Sequence, residues 1–120
     1  RGRVRFGYSL RLSETAAVGA VPLFNAVLKH DLERSTCEVL PLDEGRVAGD
    51  ITFVPDTDRE GQEDGGWLLF MSHSLGSDRA WLEIIDCAHF AHGPVASFEL
   101  PHVPIGFHST WVPFDAAAAR

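Results

Sequence analysis

Apolar and polar residues alternate with a period of two along most of this chain, which predicts an almost entirely β protein. Val4 to Leu12 places large apolar residues at every second position, the signature of a half-buried strand. Ser13 to Ala20 is small and polar and reads as a loop. Leu23 to Leu32 predicts a second strand. Glu33, Arg34 and Ser35 read as a turn, and Thr36 to Leu42 as the hairpin partner.

A second group of strands follows. Ile51 to Val54 is short and ends at Pro55. Asp56 to Gly66 is acidic and turn-rich, so it reads as a solvated loop. Gly66 to Met71 is continuously apolar, which predicts a strand buried on both faces. Ser74 to Arg79 reads as a hairpin connection. Ala80 to Cys87 is the returning strand, with Trp81, Glu83 and Ile85 on one side and Leu82, Ile84 and Asp86 on the other. Val95 to Leu100 is a fourth strand. Four antiparallel strands with short connections make a propeller blade or half of a sandwich, and periodicity alone does not choose between them. The only helix-like stretch, Asp115 to Arg120, is too short to be stable alone.

Composition narrows the function classes. A chain of 120 residues fits one domain at most. Its 45% hydrophobic and 22% charged residues are ordinary for a folded globular protein. A net charge of -7 leaves no basic patch to neutralise phosphates, which argues against a nucleic-acid partner. The apolar runs are too short to cross a bilayer, and no signal peptide is expected. Cys37 and Cys87 are read as free thiols in a reducing compartment, with a single disulfide between them as the alternative, and the expected location is cytoplasmic. The chain opens on Arg1, directly in strand-like sequence, and so reads as part of something longer.

Several residues are candidates for chemistry. His108 lies in an apolar, aromatic run between Pro104 and Pro113, where a histidine is either a satisfied core residue or a metal ligand in a dry site. His102 reads as a surface residue or one beside that site. Cys87, His89 and His92 could begin a zinc site, but a closed site needs a fourth ligand that the chain does not offer, so the segment reads as a connection. The acidic residues from Asp56 to Asp64 do not match the spacing of a calcium loop. His30 and His73 are expected to be exposed or cross-strand residues. Asp86 and Glu99 could be paired only on paper, and no Ser–His–Asp arrangement or phosphate-binding glycine loop can be assembled.

Four words occur in order: Gly49-Asp50-Ile51-Thr52-Phe53-Val54-Pro55, Glu63-Asp64-Gly65-Gly66-Trp67-Leu68-Leu69, Leu82-Glu83-Ile84-Ile85-Asp86-Cys87-Ala88, and Leu100 to Trp111. Lys29-His30-Asp31-Leu32 fits with them. Together they resemble the C-terminal quarter of the carotenoid cleavage oxygenases, a family that includes the lignostilbene dioxygenases and the retinal pigment epithelial membrane protein type. The resemblance covers the chain from about Phe6 onward. It implies a seven-bladed β-propeller holding Fe(II) on its axis with four histidines from separate blades. It also implies O2-dependent cleavage of a conjugated carbon–carbon double bond in a lipophilic or aromatic substrate, giving two carbonyl products.

On this resemblance His108 matches the last of the four iron ligands, and the other three lie outside the chain. Neutral imidazole suits ferrous iron. Carboxylates that accept the ligands' second ring N–H would balance the charge and fix the tautomers. Where the family has such a glutamate, this chain has Asp50, one methylene shorter. Ser109 stands where the family commonly has glycine, and Gly65 where it often has aspartate; the second word reads as a surface turn. The expected organisation is all-β: about two incomplete blades, with residues 1–45 giving strands of one blade and 46–120 the next blade and a closing strand. The partner is then the remainder of the same polypeptide, with membrane association left open. Alone, the chain is expected to be inactive and unstable. The alternative is a small stand-alone β-domain that acts as a non-catalytic binding module.

Overall fold

The computed structural model describes residues 4–18 and 21–101. They form eight strands: β1 Phe6–Val18, β2 Val21–Asp31, β3 Thr36–Pro41, β4 Arg46–Ala48, β5 Thr52–Pro55, β6 Gly66–Ser74, β7 Ala80–Asp86 and β8 Pro94–Leu100. All the pairings are antiparallel. Short 3-10 segments occupy Thr57–Arg59 and Cys87–His92. No described helix is long and apolar enough to cross a membrane.

The strands divide into two groups. β1, β2 and β3 form one, and β4 to β8 the other; a single pairing, Phe24 with Ala48, connects β2 to β4. The groups pack face to face. Tyr8, Leu10, Val27 and Leu40 from the first meet Ala48, Leu68, Phe70, Ile85, Cys87 and Phe90 from the second. This core follows from alternation. Register partners share a face, so Tyr8, Leu10, Val27 and Leu40 align across β1 to β3. Leu68, Phe70 and Ile85 do the same across β6 and β7.

Most of the predicted elements appear; the short strand β4 was not predicted, and four readings differ. Ser13 to Ala20 was expected to be a loop, yet β1 continues to Val18 and pairs Val18 with Val21. Register shifts after Arg11 and Leu12 absorb the small residues, so a weak alternation survives as an irregular ladder. Gly66 to Met71 is not buried on both faces: Gly66, Leu68 and Phe70 are buried, while Trp67, Leu69 and Met71 are half-buried. The continuous apolar run arises because both faces are apolar, one fully buried and the other half-covered along Trp67, Leu69 and Met71.

The acidic loop is not merely solvated. Glu63 Oε2 accepts the backbone N–H groups of Arg5 at 2.7 Å and Phe6 at 2.8 Å, and Asp64 binds Lys29. Nor is Gly65 an indifferent surface position. It is buried, and a Cβ there would stand 2.7 Å from the Arg59 carbonyl oxygen and from the Arg59 Cβ. The turn that presents Asp64 closes too tightly for a side chain.

Candidate functional site

Asp50 sits where the edge of the second group breaks its own pattern. β4 and β5 both pair with β6, as Ala48 with Ser72 and Thr52 with Leu69. The Gly49 N–H still donates to the Met71 carbonyl at 2.8 Å. Asp50 and Ile51 therefore stand opposite Phe70 alone, a bulge of one extra residue. Strict alternation from Ala48 would drive the Asp50 carboxylate into the core beside Phe70. The bulge instead lets Ile51 and Phe53 pack on that core and leaves Asp50 half-buried. Bulges re-aim side chains in this way beside active sites. The other edge of β5 carries no strand partner among the described residues. Composition and spacing gave no sign of this bulge; the step from Val47-Ala48 to Ile51-Thr52-Phe53 across two non-alternating residues was the available signal.

His108, the expected metal ligand, lies outside the described residues, as do His102 and Ser109. The structure thus positions Asp50 but does not bring it together with His108. Among the described residues, no group of three or more His, Cys, Asp or Glu side chains could hold a metal ion. Cys87 is buried in the core, whereas His89 and His92 stack on each other at the surface, 5.6 Å between ring centroids. The Asp86 carboxylate accepts the Ala88 N–H at 3.1 Å and caps this 3-10 segment, so the connection reading of these residues holds.

At the far end of β5 from Asp50, charged side chains tie the two strand groups together. Lys29, 5% exposed, reaches from β2 to Asp64 Oδ2 at 2.9 Å and to the Cys87 carbonyl at 2.6 Å. Its ammonium also lies 4.5 Å from the centre of the Phe6 ring. Burial alone would raise the Asp64 carboxyl, but hydrogen bonds from Lys29 and Gln62 hold it below the ordinary carboxylate range. The hydrogen bonds from Arg5 hold Asp31 down at about 2. Burial pushes the Cys87 thiol up to about 11. Cys37 is exposed, and both cysteines are free.

Two histidines differ from each other. His30 is half-buried, and its Nε2 lies 2.8 Å from Ser9 Oγ. His73 was expected to be exposed or cross-strand. It is cross-strand to Val47 and Ala80, but it is also buried at 6% exposure, and neither ring nitrogen has a hydrogen-bond partner among the described residues.

The profile of the retinal pigment epithelial membrane protein family matches residues 2–113. The chain is 31% identical over 122 residues to the carotenoid 9,10(9',10')-cleavage dioxygenase 1 of Pisum sativum, covering 92% of this chain and 22% of that protein. It is 30% identical over 114 residues to a carotenoid cleavage oxygenase of Mycobacterium tuberculosis, covering 93% of this chain and 22% of that protein. Among solved structures, a variant of the Synechocystis apocarotenoid oxygenase superposes with a TM-score of 0.74 at 28% identity, over 93% of this chain and 23% of that one. The lignostilbene dioxygenase of Pseudomonas brassicacearum, at 18% identity, shares the fold with a TM-score of 0.79, over 93% of this chain and 25% of its own. The chain therefore spans only about a fifth to a quarter of the length of these proteins.

Proposed function

Since the chain belongs to the retinal pigment epithelial membrane protein family, we propose that it is part of a longer oxygenase that cleaves a conjugated carbon–carbon double bond of a carotenoid, apocarotenoid or stilbene with O2. The carbonyl products would follow from O2 cleavage of that bond. The single observation that carries the reading is family membership combined with the placement of Asp50. A carboxylate displaced from the core by a bulge, on an edge with no strand beyond it among the described residues, fits a group that faces a central metal axis.

In this reading His108 is one of four histidines that hold iron(II), and the other three come from the rest of the polypeptide. The chemistry supplied by bound iron(II) is the activation of O2 toward the double bond. Asp50 accepts a ring N–H from a ligand histidine, directly or through water, and so fixes its tautomer and orientation. The half-buried setting strengthens that hydrogen bond by limiting competition from solvent. The ring closes as a propeller when further blades stack against those described.

A half-covered apolar face supports this reading over a stand-alone binding module. Leu69, Met71, Leu82, Ile84 and Phe98 share the face of the second group opposite the core. Phe98 is 55% exposed and the others are half-buried. A self-sufficient domain would cover such a face. The test is aerobic incubation of the complete protein, supplied with ferrous iron, with an apocarotenoid and with a stilbene. Carbonyl products that carry label from 18O2 support the proposal. Absence of turnover on every conjugated polyene and stilbene tried contradicts it.

A further inference from the structure

Glu83 is a carboxylate on the core face of β7. Register partners place Ala48, Ser72 and Trp81 in one row across β4, β6 and β7, with Phe70 and Glu83 in the next row. Ala48 and Phe70 belong to the core, so Glu83 stands at its margin, 3% exposed. Its Oε2 accepts the Ser72 hydroxyl at 3.0 Å and lies 3.5 Å from the Arg46 guanidinium. Its Oε1 is buried and has no hydrogen-bond partner among the described residues. A carboxylate held in this way is costly, and an apolar side chain of similar volume would serve the packing as well. Packing therefore does not account for Glu83.

What Glu83 holds is β4. That strand has three residues and meets β2 at a single pair. Its first residue, Arg46, reaches past β6 to β7 twice. The guanidinium carbon lies 3.6 Å from the centre of the Trp81 ring, and the same group pairs with Glu83. A slip of β4 by one residue would turn Arg46 to the opposite face and break both contacts. Asp50 stands two residues past Ala48. Without the bulge, alternation would place it in the row of Phe70 and Glu83. Neighbouring strands are about 4.8 Å apart, so the two carboxylates would then face each other at about 10 Å across Phe70. Like charges at that distance repel more strongly in a dry core than in water. Glu83 thus anchors the observed register through Arg46 and opposes the inward alternative for Asp50.

We propose that Glu83 is a positioning residue: through Ser72 and Arg46 it pins β4 to β6 and β7, and so fixes the bulge that carries Asp50 out of the core. The proposal rests on the reading that Asp50 supports the metal site. Arginine suits the pin, because its flat face stacks on Trp81 while its charge meets Glu83.

The test is hydrogen exchange by mass spectrometry on the complete protein, as wild type, Glu83→Met and Glu83→Gln. Glu83→Met keeps the volume and removes both acceptors. It should speed exchange at 46–52 by about tenfold, with peptides from β7 and β8 unchanged. Gln, which keeps an acceptor for Ser72 and Arg46, should restore most of the protection. Ferrous iron titrated into the same proteins should bind about tenfold more weakly in Glu83→Met. If Glu83 acts through Asp50, the double variant Glu83→Met, Asp50→Ala should bind iron no more weakly than Asp50→Ala alone. Unchanged exchange at 46–52, uniform loosening of all strands, or losses of affinity that multiply in the double variant each overturn the proposal. Should Glu83→Met fail to fold, Arg46→Met carries the same comparison, and exchange at 46–52 as slow as in wild type overturns the pin. His108→Ala separates the two claims: if it binds iron like wild type, the metal reading fails, while the pin is judged on exchange alone.

Discussion

Replacing Lys29 by methionine removes a charge from the seam between the two strand groups while nearly preserving the volume of the side chain. In the wild type the ammonium satisfies Asp64 at 2.9 Å and the Cys87 carbonyl at 2.6 Å, with the lysine side chain 6% exposed and that of Asp64 17% exposed. Breaking a buried pair by deleting one partner costs about 3–5 kcal/mol, because the survivor is left unpaired. Asp64 keeps its bond from Gln62 at 3.0 Å and recovers some hydration, which places the expected loss at the low end, about 3 kcal/mol. The unpaired Cys87 carbonyl is already part of that loss and is not added again. A second change, Asp64→Leu, should return part of the stability, since an apolar pair can replace a buried ion pair without penalty. The assay is denaturant unfolding of the complete protein, followed by Trp fluorescence, for wild type, both single variants and the double variant. A Lys29→Met loss below about 0.5 kcal/mol, the range of an ordinary surface substitution, would refute the reasoning that this pair fastens the seam.

Acid should loosen the same region. Asp31, Asp56, Asp64 and Asp86 are all held below their ordinary values in the folded state. Groups depressed by folding contribute stability above their unfolded value, and that stability is lost as pH falls through the folded value. For Asp31 the window runs from the ordinary carboxylate value of 3.8 down to about 2, and Asp31→Asn should flatten the stability profile there. Gly65→Asp should destabilise by about 1–3 kcal/mol, the usual cost of overpacking, because its Cβ would meet Arg59; chemical denaturation measures this, and a neutral result would contradict the tight turn. Iodoacetamide at pH 8 should label Cys37 and spare Cys87, which is buried with its thiol at about 11; peptide mapping of native against unfolded protein checks it. Asp50→Ala should lower iron affinity by about 10–100-fold, read by ferrous titration, and unchanged affinity would remove Asp50 from the metal's surroundings.

The β1–β2–β3 meander up to Leu12 of β1 and the β7–β8 pair were legible from period-two alternation and turn residues, and β6 from its continuous apolar run, whereas the small residues 13–18 hid the rest of β1. The bulge at Asp50 was not, since a register shift depends on how β4 and β5 both pair with β6, a long-range fact. The same holds for Glu63, Asp64 and Lys29. An acidic turn-rich stretch looks solvated until the partner strand that receives its carboxylates is known. His73 stands cross-strand, as one of its two readings had it, but its burial was not legible, because alternation gives the face of a residue and not what covers that face. The motif words located Asp50 and His108 through resemblance, while their meeting depends on residues outside those described.

The central claim is that His108 binds iron in the complete protein. Metal analysis of purified wild type and His108→Ala, each reconstituted with ferrous iron and desalted, tests it most directly. The account predicts about one iron per wild-type chain, a single mononuclear site, and a large loss of bound metal in the variant. Equal iron in both proteins, or none in either, would contradict it.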